Sequence, residues 1–274
     1  MLALKLALVP AFLVLLALAA RVWGPAVAGW LAGLPVVAGP IVLLLVLERG
    51  PVFGARACAA SVAAIAASEA FNFAYAWTCR RPGWETRWPL ALAAGLAAWL
   101  VVAALLVHLP DGAAWALGAA GVAVTVSQTW LPRAQGTVPA AGITRADLVL
   151  RMAMGAALTL AVTQLSASLG AAWSGVLSVF PLLGSVLAVS AQRAHGADFV
   201  ARLMRGMVVG RASFAAFFIV AAALLAHAGT LPAFGCAALV SVLVQGMTKR
   251  WLGHGGRVAR TVRTPPDLHR SSLP

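Results

Sequence analysis

Charge is scarce in this chain. Seven acidic and 20 basic residues make up 10% of the 274 positions, against 62% hydrophobic residues and a mean hydropathy of +0.94. Soluble domains carry roughly a quarter charged residues, so no water-soluble fold hides this much apolar surface. Carboxylates are scarcest of all, and six of the seven fall at membrane surfaces or in the tail, which leaves no His, Cys, Asp and Glu cluster to run acid–base or metal chemistry. Cys58, Cys79 and Cys236 stand apart without a CxxC or Cys/His spacing, which argues against a disulfide framework and a zinc site. Phosphate loops, nucleophile elbows and zinc signatures are missing as well. The sequence therefore predicts a protein that is not an enzyme and carries no cofactor. Short alternating segments are also lacking, which excludes a membrane β-barrel and leaves helices, because lipid offers no partner to an open backbone hydrogen bond.

Long apolar runs are what the chain has in abundance. A spanning helix needs about 20 mostly apolar residues, broken off by Gly, Pro or charge. That rule predicts nine spans, near residues 3–20, 26–47, 55–78, 88–107, 112–131, 149–166, 172–191, 207–228 and 232–248. The opening MLALKLALVPAFLVLLALAARVWG has the apolar core of a signal peptide but a single Lys ahead of it, and reads as the first span.

The net charge of +13 does not point to nucleic acid, because its basic residues are scattered among apolar spans. Topology accounts for them: Lys and Arg are retained on the cytoplasmic side. With the N-terminus outside and the C-terminus cytoplasmic, 17 basic residues lie inside and only Lys5, Arg49 and Arg56 lie outside. The segment 251–274 reads as a basic, disordered cytoplasmic tail drawn to anionic headgroups.

Sliding the sequence against itself reveals an offset of 146, at which residues 1–56 lie on 147–202 without a gap and with 13 identities. The rarer residues carry the match: Gly24 with Gly170, Gly29 with Gly175, Pro35 with Pro181, Gly50 with Gly196, Phe53 with Phe199 and Arg56 with Arg202. The expected fold is thus an all-α integral membrane protein of about nine transmembrane helices, built as two inverted four-helix repeats joined by one linking helix. Repeat one covers 1–110, the linking helix and its loop 111–146, and repeat two 147–250.

Inverted repeats are a recurrent plan of secondary transporters, in which a Pro-interrupted helix at the same place in both halves points to the substrate site. Pro35 and Pro181 meet that description; packing kinks are the plainer reading. Glu69, within the third span, is the one carboxylate at membrane depth and so a functional candidate for proton exchange or ligand contact. Asn72 lies three residues on, near the same helical face. Gln128, Gln164 and Gln245 are further buried candidates, whose commoner task is to bridge helices. Arg56 and Arg202, on opposite faces, are candidates for gating or for headgroup anchoring.

The stretch WSGVLSVFPLLGSVLAVSAQRAHG, with Phe199, Arg205, Gly206 and Phe214 to Phe218, resembles the small four-helix GlpM-like bacterial inner-membrane proteins, and WLAGLPVVAGP echoes it in the first half. That resemblance implies two such units fused through an inversion helix in a bacterial inner membrane, and it transfers no catalytic residue. The four-one-four plan is also similar to that of fused fluoride channels, whose Gly-rich arginine motif is not found here. The functional expectation is a transporter or exporter of a small solute by alternating access, with the proton as candidate coupling ion. A passive channel and a non-transporting assembly or regulatory subunit are the alternatives. Its expected partners are the lipid bilayer and a small-molecule or ion substrate, with no nucleic acid; self-association stays open.

Overall fold

A computed structural model describes residues 2–84, 86–108, 112–134 and 171–257, with a few helical positions between 149 and 160. Among these residues the fold is all helical. In chain order the helices are α1 Leu2–Trp23, α2 Pro25–Ala32, α3 Ala38–Arg49, α4 Pro51–Ala63, α5 Ile65–Thr78, α6 Trp88–Val107, α7 Ala113–Trp130, α8 Ala171–Ser178, α9 Leu182–Leu225 and α10 Thr230–Arg257. Among the described residues four segments are long and apolar enough to cross a bilayer: Pro51–Thr78, Trp88–Val107, Gly175–Leu225 and Thr230–Lys249.

Glycine and proline set the joints. Gly24 and Gly50 take left-handed φ values of 86° and 87°, and each is followed by a proline that opens the next helix, where its missing N–H is no loss. Gly196 interrupts α9 with φ 78° and ψ −174°, close to the φ 87° and ψ 170° of Gly50. These two glycines are 146 residues apart.

The same spacing governs the helix ends. α2 and α8 start at 25 and 171 and stop at 32 and 178. Each is followed by a break containing a proline, and the backbone is bonded alike in both. Gly33 and Leu34 donate to Trp30 and Leu31 at 3.1 Å, and Gly39 donates to Pro35 at 2.8 Å. Val179 and Phe180 donate to Val176 and Leu177 at 3.1 and 3.0 Å, and Ser185 donates to Pro181 at 2.7 Å. A ring nitrogen without a proton cannot continue the helix, so the preceding turn tightens to i−3 bonds.

Packing follows the same numbers. α2 lies against α9, and α8 against α4. A methyl group at Gly29 would overlap the Leu203 backbone, and one at Gly175 the Ala57 backbone; both members of the second pair sit 146 before or after those of the first. Gly54 abuts Leu225, while Arg80 at the other end of the α4–α5 rod pairs with Asp198 at 2.9 Å. The α4–α5 rod and the α9 segment 197–225 therefore run antiparallel. α6 packs on α5, α10 on α9, and α7 against α4 and α5.

Several boundaries move from their sequence-based positions. The expected spans at 26–47 and 172–191 are each two helices, because the prolines end one and a new one starts beyond. The span expected from 207 begins right after Gly196, which brings Arg202 and Arg205 into a helix rather than a loop and carries Arg211, expected at the start of that span, to its middle. The tail expected to be disordered from 251 is helical as far as Arg257. The helix expected at 149–166 lies mostly outside the described residues.

Candidate functional site

α5 carries Glu69 to the middle of the bundle, where it is 1% exposed. The Arg211 Nε on α9 donates to its Oε1 at 2.8 Å, and Asn72 Nδ2, one turn along α5, donates to the same oxygen at 3.2 Å. A buried carboxylate demands such partners, since an unpaired charge in lipid is among the costliest groups a protein can hold. The second carboxylate oxygen, Oε2, is buried with no donor reaching it among the described residues.

Two spaces flank this pair. On one side is a cavity of about 60 Å³ beneath the second helix break, lined by Ser68, Asn72, Arg211, Phe180, Pro181 and Gly184 among others. On the other is a groove of about 750 Å³ between α5, α6 and α7, walled by Phe73, Val102, Trp115, Val122 and other apolar groups, with Glu69 and Ser127 as its polar side chains. The ion pair thus stands between a small cavity of mixed lining and a wide apolar groove.

The second break is tied to α5 at several points. Ser68 donates its hydroxyl to the Val179 carbonyl at 3.1 Å, and the Phe71 ring stands where a Cβ on Gly184 would touch it at 3.5 Å. Phe180 meets Trp99 edge to face at 5.1 Å. The first break has its own aromatic, Phe217, which a Cβ on Gly39 would meet at 3.1 Å. Phe71 and Phe217 are again 146 apart. Around the second break, Ser185 Oγ and Trp99 Nε1 are buried hydrogen-bonding atoms without a partner among the described residues.

Glu69, Asn72 and Pro181 are brought together, as is the cavity wall beside them. Pro35 is buried in the first break, flanked by Leu34 and Val37, which line the cavity. Gln245 bridges helices: its Nε2 donates to the Trp30 carbonyl at 2.7 Å and its Oε1 accepts from Ser213. Trp30, whose indole donates to Thr248 at 2.9 Å, completes that network. Gln128 is half-buried on α7, and its backbone carbonyl accepts from Arg205 at 3.1 Å, beside the Leu131 carbonyl at 2.9 Å. Arg56 is exposed, Arg202 half-buried, and neither lines the cavity or the groove. Gln164 lies outside the described residues.

Arg211 is the residue that sequence reasoning missed, because it was placed in a cytoplasmic flank. The offset held the clue: Arg211 corresponds to Ile65, a position well inside the third span and one turn before Glu69. Tyr75, which donates to Gln192 Oε1 at 2.7 Å, was missed too. Cys79, just past the α5 end, is pushed up to about 12 by burial, against the smaller opposing pull of Arg80, and so is an inert thiol.

Compared with family models, curated proteins and solved structures, the chain finds no match, so the GlpM-like resemblance rests on the residues quoted for it.

Proposed function

We propose that this protein is a nine-span transporter of a small solute in a bacterial inner membrane, working by alternating access between two inverted four-helix halves. The observation that carries the reading is the pair of proline breaks, bonded alike 146 residues apart and facing the middles of two antiparallel rods. Gly33 touches Gly210, and Val179 accepts from Ser68, so both breaks meet their neighbours near mid-span. Broken helices at membrane depth are tolerated where the freed backbone is buried in protein or lines a cavity, and matched breaks let two halves exchange conformations about one fixed site. Glu69 is the coupling group in this reading, since it is a carboxylate at that depth and one of its oxygens has no donor among the described residues.

Vesicles reconstituted with the pure protein and loaded with a pH-sensitive dye test this directly. Imposed gradients of small solutes drive proton movement through the wild type, and Glu69→Gln abolishes the coupling. Flux that ignores the proton gradient in both proteins points to a passive channel, and the absence of any flux across a broad solute panel removes the transport reading.

A further inference from the structure

The cavity beneath the second break has an apolar wall into which Arg211 and Asn72 bring N–H donors. Arg211 lines it and uses only its Nε among the described residues, leaving both Nη groups for another acceptor. Asn72 lines it as well and has a second amide N–H beyond the one given to Glu69, whereas the Ser68 hydroxyl in the same wall is already given to the Val179 carbonyl. Ser185 O–H and Trp99 N–H stand beside the same break, 3% and 4% exposed, without acceptors among the described residues. Glu69, which holds Arg211 from the groove side, has its Oε2 buried without a donor among the described residues, and protonation converts that oxygen to a donor.

We propose, building on the transport reading, that the ligand of this site is a small monovalent anion that enters together with one proton, the proton going to Glu69 and the anion to Arg211. Charge decides the pairing. The empty site holds Glu69 carboxylate against Arg211 guanidinium and is neutral. A proton alone leaves it at plus one, and an anion alone at minus one, and either net charge at membrane depth is strongly disfavoured. Loading both returns it to neutral, with the guanidinium transferred from carboxylate to anion. The volume of about 60 Å³ has room for an ion of a few heavy atoms.

Other ionisable groups on the surrounding elements are otherwise engaged or remote. On α9, Arg205 is spent on the α7 carbonyls and Asp198 on Arg80. On α5, Tyr75 donates to Gln192, while Arg80, Arg81 and Cys79 lie beyond its end. Arg193, His195 and Arg202 sit in α9 more than two turns before Arg211, and Arg56 and Cys58 belong to α4. Neither α6, α7 nor α8 carries an ionisable side chain.

Binding is measured on the full chain in lipid nanodiscs with sodium nitrate, chloride and formate, following tryptophan fluorescence and, in weak buffer, proton uptake. At least one of the three anions binds with uptake of about one proton, so its Kd weakens as the pH is raised. Glu69→Gln, which stays neutral and keeps a donor, binds without that pH dependence. Arg211→Gln combined with Glu69→Gln, which leaves no charge stranded, does not bind. Binding without proton uptake in the wild type, binding that survives in the double variant, or no binding of any of the three anions overturns the proposal. Proton-linked binding in nanodiscs without flux in vesicles upholds the anion site and removes the transport reading instead.

Discussion

The stretch 25–78 and the stretch 171–224 share their joints and differ in their chemistry. Both run short helix, proline break, helix, left-handed glycine, long rod, and the joints fall at the same spacing to the residue. Yet the first rod carries Glu69 where the second has Ala215, and the second carries Arg211 where the first has Ile65. Backbone architecture depends on a handful of glycines and prolines, so it survives wide drift of side chains. A single ion pair needs only one acid and one base, so each stretch holds one partner and neither stretch alone completes the pair. The pair also lies close to where the antiparallel rods cross, which is why residues from different halves meet there.

Breaking that asymmetric pair has the largest effect. Glu69→Ala or Arg211→Ala strands a buried charge and lowers stability by about 3–5 kcal/mol, because the remaining ion has neither solvent nor partner. Removing both together, as Glu69→Gln with Arg211→Gln, costs clearly less than either alanine variant. Thermal unfolding in detergent micelles measures this, and additive losses in the double variant would show that the two side chains act separately.

The next comparison concerns the matched glycines of the crossings. Gly29→Ala and Gly175→Ala each drive a methyl group into the backbone of the opposite half, a cost of about 1–3 kcal/mol. Similar losses at both sites are expected, whereas Gly118→Ala on α7, with nothing within 4 Å among the described residues, is neutral or slightly stabilising. A large loss at one crossing and none at the other would mean that the two contacts are alike in position only.

Much of this plan was legible from residue types. Gly50, Gly196, Pro35 and Pro181 announce their joints, since few other residues adopt those conformations, and an unbroken offset of 146 aligned them before any geometry was known. Glu69 was legible because a carboxylate in an apolar helix has little reason to be there except for a partner or a ligand. Its partner was not. Arg211 follows a run of arginines at 202 and 205 that resembles a cytoplasmic loop, and only the length of the helix beyond Gly196 shows that it is carried inward. Gln245 gave the opposite difficulty: its burial was foreseeable, but that it bonds the Trp30 carbonyl depends on which helix lies beside it, and a single chain of letters does not contain that.

The smallest effect lies at the two glycine turns themselves. Before Gly50, the Arg49 guanidinium sits 5.7 Å from the centre of the Phe53 ring; before Gly196, the His195 ring stacks on Phe199 at 4.5 Å. Both pairs clip the end of one helix to the first turn of the next, by a cation over a ring in one case and by ring on ring in the other. Either contact is worth about 0.5–1 kcal/mol at such a site. Exchanging the chemistry, as Arg49→His and His195→Arg, keeps a planar group over each phenylalanine and shifts the midpoint of thermal unfolding little. Phe53→Leu and Phe199→Leu remove the ring from each clip and lower stability by similar small amounts. If only one of the leucine variants matters, the two turns share a backbone but not a fastening, and the likeness between the halves ends at the glycines.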